Sequence, residues 1–281
     1  MKPIFRMKRE KKELNKNEIF HSINLIENKG IKNQESKIDV KNLSFDEISN
    51  LLIRAEACNK NNECNEALNI FSGLICSSFD GDPYLPVYLN LRASVYEKLR
   101  EWDSAITDLE SAICLNQDFD GNYLSLGATI TWKLFYTGNF HIGEDDEILM
   151  KSIYYYKECL KRNPSNAVAW LNIIETYIFL QRWDDAISYY GLSKSYMDSK
   201  EHILARAWLG CIALALDGGY IGDEDVKPLI DQTVQYETIH DTNQIKDFLS
   251  ELKRINFDSI KLRKAINIHN IFMSRINIID G

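Results

Sequence analysis

No run of about 18 uninterrupted apolar residues occurs in the sequence, so no membrane-spanning helix is expected. Nor does an apolar stretch of signal-peptide length follow the basic start, and a secretory leader is not expected either. The six cysteines (Cys58, Cys64, Cys76, Cys114, Cys159, Cys211) contain no Cys-x-x-Cys pair. The five histidines (His21, His141, His202, His240, His269) lie far apart, with no two at i, i+4 beside a Glu. Neither a disulfide framework nor a zinc site is indicated, and the thiols read as reduced and mostly buried in a cytoplasmic protein. A Gly-rich phosphate loop, a Gly-x-Ser-x-Gly elbow and a Cys-His signature are also missing. No catalytic residue, cofactor or metal is therefore expected, and the protein reads as a binding module.

What is present is the composition of a folded chain: 281 residues, 45% hydrophobic and 26% charged. The net charge of −8 is unevenly distributed. Residues 1–16 carry Lys2, Arg6, Lys8, Arg9, Lys11, Lys12 and Lys16 against Glu10 and Glu13, a local +5, which leaves the remainder at −13. An acidic body argues against nucleic acid as its main ligand, because phosphate binding needs clustered Lys and Arg. Contact with nucleic acid or an anionic membrane surface is left to residues 1–16 alone.

Leu99-Arg100-Glu101-Trp102-Asp103-Ser104-Ala105-Ile106 and Leu180-Gln181-Arg182-Trp183-Asp184-Asp185-Ala186-Ile187 share Leu, Trp, Asp, Ala and Ile at matching places, 81 residues apart. Two periods of 34 leave 13 residues over, so the echo implies a helical repeat with one insertion. Five copies can be traced. Leu51, Ala55 and Cys58, then Ala67, Phe71 and Leu74, mark the first; Leu89, Ala93 and Tyr96, then Trp102, Ala105, Leu109 and Ala112, mark the second. The third begins with Tyr123, Leu126, Gly127 and Ile130 and resumes with Ser152, Tyr156 and Cys159, which places the 13 extra residues within about 136–147. The fourth holds Trp170, Ile173, Ile174 and Tyr177, then Ala186 and Tyr190. A degenerate fifth starts around Leu209-Gly210, with its second helix expected near Asp223. The small residues Ala67, Ala93, Ala105, Gly127, Ala186 and Gly210 are expected where helices cross closely, and Asp103, Asp184 and Asp185 in the positively polarised first turns of second helices.

Trp170-x2-Ile173-Ile174-x2-Tyr177 followed by Ala186-x3-Tyr190 resembles the tetratricopeptide repeat (TPR). The match departs at Ile174, where that family prefers a small residue, and at Asp198 in place of the closing Pro. The resemblance implies an all-α fold: a right-handed superhelical array, or solenoid, of about five antiparallel helix pairs with N- and C-terminal capping helices. The expected division is a basic extension at 1–46 with a short amphipathic cap (Ile19, Phe20, Ile23, Ile26), a repeat domain at 47–237, and two closing helices at 238–281. It further implies a concave groove lined by first helices, which takes a peptide or helix of a partner protein. Carried over position by position, the apolar end of that groove is Leu124, Ala128, Thr131, Trp132, Val168, Leu171, Glu175, Ile178 and Phe179. The family's clamp for a terminal carboxylate is not matched, since Leu52, Glu56, Leu91, Gly121 and Ser125 stand at its places.

Residues 116–122 open like a calcium loop, with oxygen-bearing side chains at the first, third and fifth places and Gly121 at the sixth. The ninth place is Leu124 and the twelfth Gly127, where a bidentate Glu is needed, so the stretch reads as a turn between copies. The expected function is a non-enzymatic adaptor for a protein or peptide partner. The alternative is a peripheral membrane or nucleic-acid regulator acting through the basic head.

Overall fold

The computed structural model describes residues 45–79, 81–137, 143, 146–196, 203–217, 250, 252–253 and 259–279, and in them every regular element is an α-helix. Helices α1 (Phe45–Lys60) and α2 (Cys64–Ser77) make the first pair, α3 (Leu85–Lys98) and α4 (Trp102–Leu115) the second, and α5 (Asp120–Tyr136) and α6 (Asp146–Arg162) the third. The fourth pair is α7 (Ala167–Phe179) and α8 (Trp183–Tyr196); α9 (Ile203–Leu216) opens the fifth, and α10 (Ser259–Ile279) comes last and packs on α9. The basic head with its expected cap, most of the insertion, the second helix of the fifth copy and most of the first closing helix lie outside the described residues. Among those residues no helix is long and apolar enough to cross a membrane.

The chain divides into two units. One comprises residues 1–99 and 103–116, the other 100–102 and 117–281. Within the first, Ala55, Cys58, Ala67, Ile70, Phe71, Leu74, Leu85, Leu89 and Val95 form a continuous apolar core. Within the second, Leu126, Leu149, Ile153, Leu171, Ile173, Ile174, Leu209 and Ile212 are buried to 1% exposure or less.

The repeat chemistry explains these boundaries. Asp103 falls in the first turn of α4, and Asp184 and Asp185 in that of α8, where the helix dipole favours negative charge. Ala67, Ala105 and Ala186 are fully buried, as crossing points require. Gly127 is a true close approach: a Cβ there would lie 2.6 Å from the ring of Tyr156, in the same repeat. Gly210 is another, met by the ring of Tyr190 at 2.5 Å from the preceding repeat. Tyr156 and Tyr190 hold the same repeat position but turn to different glycines. Ile174, fully buried, fills the small-residue place of the fourth copy and leaves no recess there for Tyr156.

Three first-to-second-helix turns share one device. Asn62 (φ 64°), Arg100 (φ 59°) and Gln181 (φ 56°) are left-handed, and each stands five residues before Ala67, Ala105 and Ala186 respectively. At two of them the full helix stop is formed. Asn62 N–H donates to the Asn59 carbonyl and Glu63 N–H to that of Cys58; Gln181 and Arg182 do the same to Ile178 and Tyr177. In the third copy the equivalent place is Leu134, still helical and buried. There α5 continues to Tyr136 and ends on Thr137 at φ −74°, so the start of the insertion lengthens the first helix.

Candidate functional site

Helix α5 is buried along most of its circumference, through Asn122, Tyr123, Leu126, Gly127, Thr129, Ile130, Leu134 and Phe135. Leu124, Ala128, Thr131 and Trp132 are left half-buried. Their i, i+4, i+7, i+8 spacing puts them on one stripe of the helix. The Thr131 hydroxyl donates to the Gly127 carbonyl at 3.1 Å and lies 3.2 Å from the Tyr156 hydroxyl, which fixes its rotamer. Beyond it the Trp132 ring sits 5.7 Å from that of Tyr136. Tyr136 is 41% exposed, stacks on Trp102 at 5.6 Å, and carries the Arg100 guanidinium 4.8 Å from its ring centre.

On α7, Val168 and Glu175 are half-buried, but Leu171 and Ile178 are 0% and Phe179 4% exposed. The cause is position in the stack: α7 packs against α5, α6, α8 and α9, and Phe179 meets Phe135 edge-on at 4.7 Å. Leu171, Ile178 and Phe179, expected on the groove surface, belong instead to the interior. In the first unit, polar side chains of the first helices α1 and α3 bond across to one another. Asn59 donates to Ser94 at 3.0 Å, and Lys98 to the Asn59 carbonyl.

Several polar groups escaped sequence reasoning. Asp120, taken above as part of a plain turn, has one carboxylate oxygen that accepts from Asn163 and Asn166, each at 3.0 Å, and from the Cys159 thiol at 3.8 Å. Asn166 also caps α7 by accepting from Ala169 N–H at 3.0 Å, so one side chain ties the start of α5 to the turn between α6 and α7. Burial, and then the Asp120 charge, push the Cys159 thiol up to about 12; it stays protonated and is no nucleophile at neutral pH. The Lys157 ammonium donates to the Tyr177 hydroxyl at 3.0 Å and lies 4.9 Å from the Tyr189 ring centre. Burial opposes its charge, but the bonds to Tyr177 and Tyr189 outweigh that and shift it upward. The donor atoms of Cys58, Glu63 and Glu66 lie within 4.8 Å of one another. Arg54 pairs with Glu66 there, and burial together with the carboxylates raises the Cys58 thiol, which disfavours the thiolate a metal would need.

No protein-family model matches the sequence, and no curated protein matches it. Solved structures do match in shape. The crystal structure of TTC0263, a thermophilic TPR protein in Thermus thermophilus, is similar at TM-score 0.52 and 16% identity, over 73% of this chain and 99% of that one. MamA protein gives TM-score 0.46 at 15% identity, over 74% and 92% of the two chains. YrrB, described as a TPR protein with an unusual peptide-binding site, gives 0.46 at 13%, over 80% and 95%. The likeness to TTC0263 shows the fold: this chain has the all-helical architecture of a tetratricopeptide-repeat protein.

Proposed function

We propose that the protein is a non-enzymatic interaction scaffold that holds a segment of a partner protein against Leu124, Ala128, Thr131 and Trp132 of α5, with Val168 and Glu175 on α7 beside them. One observation carries this reading: a helix buried nearly all round keeps a four-residue stripe of mainly apolar side chains half-open to solvent. In repeat arrays of this kind each helix pair buries its apolar face on its neighbours, so an apolar stripe left uncovered is available to a ligand. The chemistry of the remaining side chains supports binding over catalysis, since Cys159 is held protonated and the Asp120 carboxylate is taken up by structural donors. Cys76 and Cys114 lie exposed as thiols, which suits the reducing cytoplasm.

The test is selection of phage-displayed random dodecapeptides on the full-length protein, followed by measurement of the recovered peptides on Ala128→Arg. That substitution places a long charged side chain in the middle of the stripe while α5 keeps its buried faces. Recovered peptides should bind the variant at least about tenfold more weakly, a change of roughly 1.4 kcal/mol, with an unchanged helical signal. Equal binding to both proteins rejects the α5 stripe as the site.

A further inference from the structure

Arg54, Arg92, Arg162 and Arg182 each pair with a carboxylate of this chain: Glu66, Asp108, Glu158 and Asp185 respectively. Arg100 does not. It is exposed, is held left-handed at φ 59°, and has its guanidinium over the ring of Tyr136 with no carboxylate paired to it among the described residues. The Tyr136 ring it meets belongs to a cluster of three: Tyr136 is stacked on Trp102 with 19° between their planes, and Trp132 is tilted against Tyr136. All of these residues belong to the second unit.

The insertion assembles this group. Because α5 runs past the place where the other first helices stop, Tyr136 reaches the ring of Trp102 and the guanidinium of Arg100. The fourth copy provides the contrast. Gln181 and Trp183 occupy the places of Arg100 and Trp102, and Lys261 of α10 already lies 4.7 Å from the Trp183 ring centre. The chain covers its own aromatic there, and among the described residues no cation or carboxylate of another helix is seated on the Arg100 group.

We propose that Arg100, Trp102, Trp132 and Tyr136 are the anchor for a partner segment that carries an Asp or Glu beside a proline or aromatic ring. This rests on the groove reading above and names what the groove takes. The guanidinium fork matches a carboxylate in two-point geometry, and its charge is unmet among the described residues. Tyr136, 41% exposed, offers apolar ring surface for a second ring to pack on. Arg, Trp and Tyr are also the side chains that dominate binding energy at protein interfaces. A polyanion is the poorer fit. Exposed Glu101 and Asp103 adjoin Arg100 and Trp102 in the chain, so a run of phosphates meets repulsion where a single carboxylate needs only the one guanidinium.

The experiment uses the same dodecapeptide selection on the full-length protein, with Arg100→Asn and Arg100→Lys as variants. Asn tolerates the left-handed backbone, so its helical signal and melting temperature should match the parent. Recovered peptides are expected to carry an acid within two residues of Pro, Phe, Tyr or Trp. They should bind Arg100→Asn at least about tenfold more weakly and Arg100→Lys at an intermediate level. Peptides without an acid, or with undiminished binding to Arg100→Asn, overturn the anchor while the stripe on α5 stands if Ala128→Arg still weakens them. Failure to recover any binder overturns the stripe and the anchor together. Displacement of the peptides by single-stranded RNA that itself depends on Arg100 overturns the carboxylate assignment in favour of nucleic acid.

Discussion

Arg92 and Asp108 form a two-point ion pair sealed from solvent: Nε donates to Oδ2 at 2.8 Å and Nη2 to Oδ1 at 2.9 Å, with both side chains at 1% exposure or less. A third bond from Nη1 reaches Ser72 at 3.1 Å, so one guanidinium links α3, α4 and α2. Removing one partner leaves a buried, unmatched charge, and Arg92→Leu should lose about 3–5 kcal/mol in urea unfolding. Replacing both, as Arg92→Met with Asp108→Leu, removes the desolvation penalty with the attraction and should restore most of that loss. A double variant as unstable as the single one assigns the effect to packing instead.

Gly127 and Gly191 should respond in opposite directions to the same added methyl group. A Cβ at Gly127 lies 2.6 Å from Tyr156, itself 2% exposed, whereas a Cβ at Gly191 in α8 meets nothing within 4 Å. Gly127→Ala should therefore cost about 1–3 kcal/mol through overpacking. Gly191→Ala should stabilise by up to about 1 kcal/mol, since alanine loses less backbone entropy in a helix. Thermal melts of the two variants check both signs.

How far the sequence alone leads is visible in these residues. Ala67, Ala105, Gly127, Ala186 and Gly210 are legible because close helix crossings tolerate only small side chains, and the structure buries the three alanines fully and sets Tyr156 and Tyr190 against the two glycines. Arg92 had a signal, a charge where Leu126, Ile173 and Leu209 stand in later copies, but its partner lies sixteen residues away on another helix and only the packing shows it. Leu171, Ile178 and Phe179 mark the limit of carrying repeat positions over from a resemblance, which assigns a side chain to a face without revealing whether a further helix covers that face. The length of the insertion could be counted. That it prolongs α5 and delivers Tyr136 to Trp102 could not, since the missing left-handed stop is apparent only beside Asn62, Arg100 and Gln181.

Cys159 should make the fold sensitive to alkali. The fully buried thiol is pushed up to about 12 from the usual 9.0, by burial first and then by the Asp120 charge. Between those values the unfolded chain releases a proton that the folded chain keeps. The contribution is therefore fully present below about pH 9 and falls as pH rises toward 12, by up to about 1.4 kcal/mol per unit. Cys159→Ala should remove this slope, so the parent-minus-variant difference in urea midpoint should shrink steadily from pH 9 to 11. A difference that does not change with pH places the thiol in a more polar setting than the structure shows.

The left-handed turns provide a test of copy three against copy four. An ordinary side chain at φ 56° is strained by about 1–2 kcal/mol, and glycine is not, although glycine gives back about 0.4–1 kcal/mol through the freer unfolded chain. Gln181→Gly should accordingly stabilise by roughly 0.5–1 kcal/mol, and Asn62→Gly by less, because asparagine already tolerates this region. Leu134 holds the same repeat position in the third copy but is helical and only 7% exposed. Glycine there empties a packed site and weakens a helix interior, so Leu134→Gly should cost about 3 kcal/mol or more. It should also loosen the end of α5 and weaken the stacking of Tyr136 on Trp102, read as a change in near-ultraviolet circular dichroism that Gln181→Gly does not produce. If Leu134→Gly instead stabilises the fold, α5 stops at the same place as the other first helices, and the extension that carries Tyr136 does not exist.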